Sequence, residues 1–159
     1  MKEKLAKLYL TFFYSGLSPF ASGTMGTIAA LPFAYLLLIY TDKSTLMLLS
    51  IAIFIASIKI IDDYEKTHEH DAKEIVIDEV CGVFLAIGMS FNNSWWHFAL
   101  AFILFRLFDI TKPSIIGKVD KKLKGGLGVM LDDLLAGFFA GLLCLVIQGI
   151  YLNYLKDLL

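Results

Sequence analysis

Apolar residues in this chain gather into long runs separated by short polar links. Five runs stand out: Thr27 to Tyr40, Thr45 to Ile61, Val80 to Phe91, Trp95 to Ile110 and Leu134 to Tyr151. A helix that crosses a bilayer needs about 17–25 apolar residues. The second and fifth runs reach or approach that length. The first reaches it only if the loop before it contributes. The third is short and crosses only if Ile75 to Ile77 join it, which sets Asp78 and Glu79 inside the helix near one end. The fourth contains Arg106 and Asp109. The expected architecture is all-α, a small multihelical bundle integral to a membrane with about five hydrophobic helices.

The polar links test that scheme. Lys2, Lys4 and Lys7 precede the first run, and the positive-inside rule places them in the cytoplasm. With five spans, Asp42-Lys43 falls outside, Asp62 to Lys73 inside, and Asn92-Asn93-Ser94 outside, with Trp95 and Trp96 at the interface. Lys112, Lys118, Lys121, Lys122 and Lys124 then fall inside, and Lys156 and Asp157 outside. Most basic residues thus share one side. The N-terminus resembles a signal peptide, but no small-residue cleavage site closes it; Ser15-Gly16-Leu17-Ser18 comes nearest. Residues 1–17 are therefore read as an interfacial amphipathic helix of the mature chain. No repeat and no Ser/Pro-rich linker divides residues 1–159, which read as one domain.

Composition agrees. The 159 residues are 58% hydrophobic and 18% charged, with a mean hydropathy of +0.72, against about 45–50% and about 25% in soluble domains. A net charge of -1 and an abundance of Leu, Ile and Phe exclude disorder. A pI near 6.3 argues against a nucleic-acid partner. The two cysteines, Cys81 and Cys144, cannot make a disulfide scaffold and lack an activating neighbour. A soluble bundle with an unusually apolar core remains the competing class.

Four polar clusters carry the candidate chemistry. Ser18 to Thr27 is a Pro/Gly loop in which Gly23 and Gly26 let backbone approach a ligand, and Thr24 or Thr27 could instead simply cap a helix. Asp78 and Glu79 enter an apolar helix together, which is costly without a partner. A divalent cation suits them; one of them could serve as a helix cap. Arg106 and Asp109 share a helix face, with Lys112 next and Pro113 ending the helix. They make either a snorkelling ion pair or a mixed metal and phosphate site. Gly125-Gly126-Leu127-Gly128 leads to Asp132 and Asp133 without the P-loop pattern. Asp78, Glu79, Asp109, Asp132 and Asp133 thus fall at helix ends on one expected face. Such crowding needs a cation, and Arg106 and Lys112 suit a phosphate. Acids holding Mg²⁺ beside cations make a phosphate-hydrolysis or phosphoryl-transfer site. His68 and His70 read as part of a solvated loop and His97 as an interface residue. Ser15, Ser18 and Ser22 have no His/Asp partners.

The segments Ile75-Val76-Ile77-Asp78-Glu79-Val80-Cys81-Gly82, Phe105-Arg106-Leu107-Phe108-Asp109-Ile110-Thr111-Lys112-Pro113 and Gly125-Gly126-Leu127-Gly128-Val129-Met130-Leu131-Asp132-Asp133, with Ser18-Pro19 and Gly23-Thr24-Met25-Gly26 before them, together resemble the phosphatidylglycerophosphatase A family. Ser22 stands where that pattern has Pro, and Ser114 where it has a bulkier residue. The resemblance implies a Mg²⁺-dependent phosphatase of the bacterial inner membrane, facing the cytoplasm, that takes the terminal phosphate from the phospholipid phosphatidylglycerophosphate. The expected metal ligands and catalytic acids are Asp78, Glu79, Asp109, Asp132 and Asp133. Arg106, Lys112 and Thr24 would contact the phosphate. An ion or proton transporter with an acid relay is the rival from another class, and it would spread its acids through the bilayer depth.

Overall fold

The computed structural model describes residues 2–90 and 94–155. Within them lie seven α-helices and no strand: α1 (Lys2–Leu10), α2 (Ser22–Tyr40), α3 (Lys43–Tyr64), α4 (Ile77–Gly88), α5 (Trp95–Thr111), α6 (Ile115–Lys122) and α7 (Gly125–Ile150). A 3-10 turn at Ser15–Leu17 precedes α2, and a π turn at Tyr151–Leu155 follows α7. The all-α expectation is met. Asn92, Asn93, Lys156 and Asp157, expected on the outer face, lie outside the described residues.

Among the described residues, three helices, against the about five expected, are long and apolar enough to cross a membrane: Ser22–Tyr40, Lys43–Tyr64 and Gly125–Asn153. Each outgrows its apolar run. The first span takes in Ser22 to Gly26, so half of the expected loop is helix. The last begins at Gly125, so the expected Gly-rich turn is also helix. The reason at α7 is tertiary. Gly125 adopts a positive φ of 72° at the helix start, and the Gly126 amide donates to Asp62 Oδ1 at 2.7 Å. A Cβ on Gly126 would strike the Ile58 carbonyl. The glycines allow α7 to start in backbone contact with the end of α3.

The third run behaves differently. At 12 residues, α4 rises about 18 Å at about 1.5 Å per residue, well short of a core about 30 Å thick. It is the centre of the molecule, packed by α2, α3, α5 and α7. Ile77, Asp78 and every residue from Val80 to Gly88 are buried. A helix enclosed on all sides is apolar on all sides, so the run had the look of a span without its length. The lipid-facing look belongs to the outer helices. Phe33, Leu36 and Ile39 on α2, Leu48 and Ile55 on α3, and Leu142 and Val146 on α7 are exposed. An apolar exterior of this extent marks a surface made for lipid or for a partner.

Close approach of α4 and α7 positions the polar end of the bundle. A Cβ on Gly137 would collide with the Gly82 carbonyl, and one on Gly82 would come within 2.6 Å of the Asp133 carbonyl. Two glycines therefore seat the acidic part of α7 on the first turns of α4. The N-terminal segment closes the same end. Val76 N–H donates to the Leu10 carbonyl at 2.9 Å, Tyr9 Oη and Ser57 Oγ share a hydrogen bond of 2.8 Å, and Lys7 Nζ meets Glu74 Oε2 at 3.1 Å.

Candidate active site

Five stretches of chain meet at that end: the start of α2, the segment before α4, the first turn of α4, the end of α5 and the second and third turns of α7. Between them is a cavity of about 190 Å³ lined by Ser22, Lys73, Asp78, Glu79, Asp109, Lys112, Asp132 and Asp133, among others. All five acids singled out in the sequence line it. Carboxylate oxygens of Asp78, Glu79 and Asp133 lie within 4.8 Å of one another. Asp78 Oδ1, Glu79 Oε2 and Asp133 Oδ2 are buried and have no hydrogen-bond partner among the described residues. Buried oxygens of this kind are costly to leave unmatched.

The cations sit on the other two acids. Arg106 Nη1 pairs with Asp109, one helical turn along α5, and lies 3.8 Å from Glu79 Oε1. Lys112 Nζ is 2.5 Å from Asp132 Oδ2. Asp78, Glu79 and Asp133 thus face one another, with Glu79 also in reach of Arg106, while Asp109 and Asp132 each lie directly against a cation. Asp78 and Glu79, on the short core helix outside the spanning segments, show the cost. Burial first pushes both carboxyls above the ordinary range; then the charge of Glu79 acts on Asp78, and those of Asp133 and Asp109 on Glu79. A divalent ion among these oxygens would reverse that sense, because its charge favours the carboxylate form. An all-oxygen donor set suits a hard cation, so the three-acid group could hold a metal.

Glycine also governs the approach of α2. A Cβ on Gly23 would overlap Glu79 Oε1 and lie 3.2 Å from Arg106 Nη1. The helix start is thereby pressed onto the Glu79–Arg106 pair. Thr24 is half-buried in the same turn but is not among the lining residues; Ser22 is. The departure from Pro at that position still begins the helix and puts a hydroxyl at the cavity wall. Arg106 likewise touches the acids from behind and does not line the cavity.

The sequence reading missed the segment before α4. Asp71 and Lys73 belong to the stretch taken as a solvated loop, yet both line the cavity. They also line a second, wider cleft of about 750 Å³, between residues 16–22 and 69–74. His68 and His70 stay away from both: His68 stacks on Tyr64 and His70 bonds Glu65. No spacing signal marks Lys73. It reaches the site because Val76 is tied to Leu10 and Glu74 to Lys7 and Tyr64.

Fold and site together define a helical protein with membrane-length helices and a cation-competent acidic pocket at one end of them. Comparison with known proteins then gives the family. The chain belongs to the phosphatidylglycerophosphatase A family, whose model matches residues 8–148, and is with it a phosphatase of the phosphoric monoester class. It is 36% identical over 132 residues to the phosphatidylglycerophosphatase A of Escherichia coli strain K12, covering 82% of this chain and 77% of that one. A Haemophilus influenzae protein of the same name is 35% identical over 140 residues, 86% and 84% of the two chains. A Bacteroides thetaiotaomicron protein, named provisionally as a phosphatidylinositol-3-phosphatase, is 37% identical over 152 residues, 88% and 91%. No solved structure matches the chain.

Proposed function

We propose that the protein is a Mg²⁺-dependent phosphatase that converts phosphatidylglycerophosphate to phosphatidylglycerol and phosphate, at the cytoplasmic face of a bacterial membrane, in one domain formed by residues 1–159. The observation that carries this reading is a group of three carboxylates, each with a buried oxygen that has no hydrogen-bond partner among the described residues, beside two cation-paired ones in a cavity at the helix ends. Its place at the end of the spanning helices suits a lipid headgroup, and the names of the Escherichia coli and Haemophilus influenzae relatives supply the substrate.

In this reading Asp78, Glu79 and Asp133 hold the ion. When bound, Mg²⁺ polarises a phosphoryl oxygen and lowers the cost of charge on the attacking and leaving groups. The chain does the rest. Arg106 fixes Asp109 and Glu79, and Lys112 turns toward the cavity from the end of α5. Asp109 or Asp132 receives the proton of the attacking water. Water oxygen bonds to phosphorus, the ester P–O bond breaks, and the glycerol oxygen leaves with the proton that this same carboxyl returns to it. Thr24, in the first turn of α2 but not lining the cavity, acts on the phosphate only through the start of that helix.

The test is phosphate release from phosphatidylglycerophosphate by purified full-length protein. Chelator should abolish it and added Mg²⁺ restore it. Asp78→Asn and Asp133→Asn should each lower kcat by about a hundredfold or more, since even outer-shell changes at metal sites cost about 10–100-fold. Full activity in either variant would remove that residue from the site. Phosphatidylinositol 3-phosphate belongs in the same assay, because the Bacteroides relative's name points to it and its phosphomonoester needs the same chemistry. Ion flux in liposomes without lipid hydrolysis would instead support the transporter reading, although all five acids lie in one cavity.

A further inference from the structure

The acidic cavity and the wider cleft share four lining residues, Ser22, Asp71, Ala72 and Lys73. They are therefore two compartments of one opening, and Lys73 stands at the boundary. Among the described residues, Lys73 is the only cation lining the wide cleft, where the other charged residues are Glu69, Asp71 and Glu74. It makes no ion pair or hydrogen bond with any of them or with any other described residue. Its backbone is nonetheless anchored on both sides. Ile75 N–H donates to the Ala72 carbonyl at 2.8 Å and Val76 N–H to the Leu10 carbonyl at 2.9 Å, and Glu74 is held by Lys7 at 3.1 Å.

We propose that Lys73 binds the inner phosphodiester of the lipid headgroup in the wide cleft while the terminal phosphate occupies the acidic cavity, which makes it a specificity residue for headgroups bearing two phosphates. This rests on the lipid-phosphatase reading above. The need for Lys73 is electrostatic. A terminal phosphate alone needs only the small cavity, of about 190 Å³. A phosphodiester beyond it enters a compartment whose other charged lining residues, Glu69, Asp71 and Glu74, are all acids that repel it. A charge-assisted hydrogen bond from an ammonium to a phosphate oxygen answers that need. Arg106 and Lys112 are poor candidates, being turned onto Asp109 and Asp132 and away from the wide cleft.

Calorimetry on the full chain in detergent separates the two compartments without turnover. Short-chain phosphatidylglycerol carries the diester alone, and inorganic phosphate carries neither diester nor lipid. Lys73→Gln should weaken binding of short-chain phosphatidylglycerol about tenfold, the loss of one charged hydrogen bond. It should change inorganic phosphate binding much less. Lys73→Arg should stay within about threefold of wild type on both, because the charge survives. The loss in Lys73→Gln should shrink as salt rises, which a packing defect would not do. With phosphatidylglycerophosphate as substrate, KM should rise more than kcat falls. Unchanged phosphatidylglycerol binding in Lys73→Gln would overturn the proposal, as would equal loss of both ligands in both variants. Failure of the wild type to hydrolyse phosphatidylglycerophosphate would instead count against the lipid-phosphatase reading, and the calorimetry would still decide whether Lys73 holds the diester.

Discussion

At the scale of single residues, the site depends as much on what is absent as on what is present. Gly23 has no side chain where Glu79 Oε1 and Arg106 Nη1 lie. Gly23→Ala should lower kcat by about tenfold or more, since small misplacements of catalytic groups carry large costs. Its melting temperature should hold or rise, because Ala is the better helix former and the displaced atom is the free end of a carboxylate. A Gly23→Ala protein with wild-type kcat would detach the Glu79–Arg106 pair from the chemistry. The acids themselves were readable from the chain: adjacent carboxylates entering apolar helices demand a partner. Which three of them face one another was not readable, because Asp133 is distant in sequence from the adjacent Asp78 and Glu79 and meets them only where two glycines let α4 and α7 touch.

At the scale of elements, α4 is held by its neighbours and α1 holds the segment that leads into it. Gly137→Ala puts a methyl group against the Gly82 backbone. Overpacking of this kind costs about 1–3 kcal/mol, so the variant should melt measurably lower and lose activity through the shifted Asp133. Glu74 ties α1 to the pre-α4 segment. The Tyr64 hydroxyl first, and Lys7 second, hold its carboxyl below the usual carboxylate range. A lowered value in the folded protein means the stabilisation is present above the ordinary carboxylate pKa and is lost as pH falls through the lowered one. Glu74→Ala should therefore cost about 1–2 kcal/mol at neutral pH, the worth of such a hydrogen bond and partly exposed pair. The gap to wild type should close as the solution is acidified, and thermal melts in detergent at a series of pH values would show it. A gap independent of pH would mean the loss is packing and not charge. Element boundaries were the weakest part of the sequence reading. The glycine-bearing half of one stretch taken as a loop, and all of the stretch taken as a Gly-rich turn, are helix, because their glycines serve close helix contacts.

At the scale of the whole molecule, the apolar exterior and the one-ended polar opening make a prediction about orientation. Glu69 lines the wide cleft and Cys81 and Cys144 are both buried, so a cysteine introduced as Glu69→Cys reports with little background. In oriented membranes it should react with an impermeant thiol reagent from the cytoplasmic side and be protected from the other. Labelling from the outer side would reverse the placement of the site, and the positive-inside assignment of Lys2, Lys4 and Lys7 with it. The sequence by itself determined the helical class, the membrane-length apolar runs and which acids come to line the cavity, because hydrophobic runs and charges set among them are local properties of composition and order. Only the tertiary structure decided that the third run is a core helix and not a span, since lipid and protein make equally apolar surroundings and a hydropathy pattern cannot tell one from the other. It also decided that Asp71 and Lys73 reach the opening, because their place is fixed by hydrogen bonds to α1 and α3 that leave no mark in the spacing of residues.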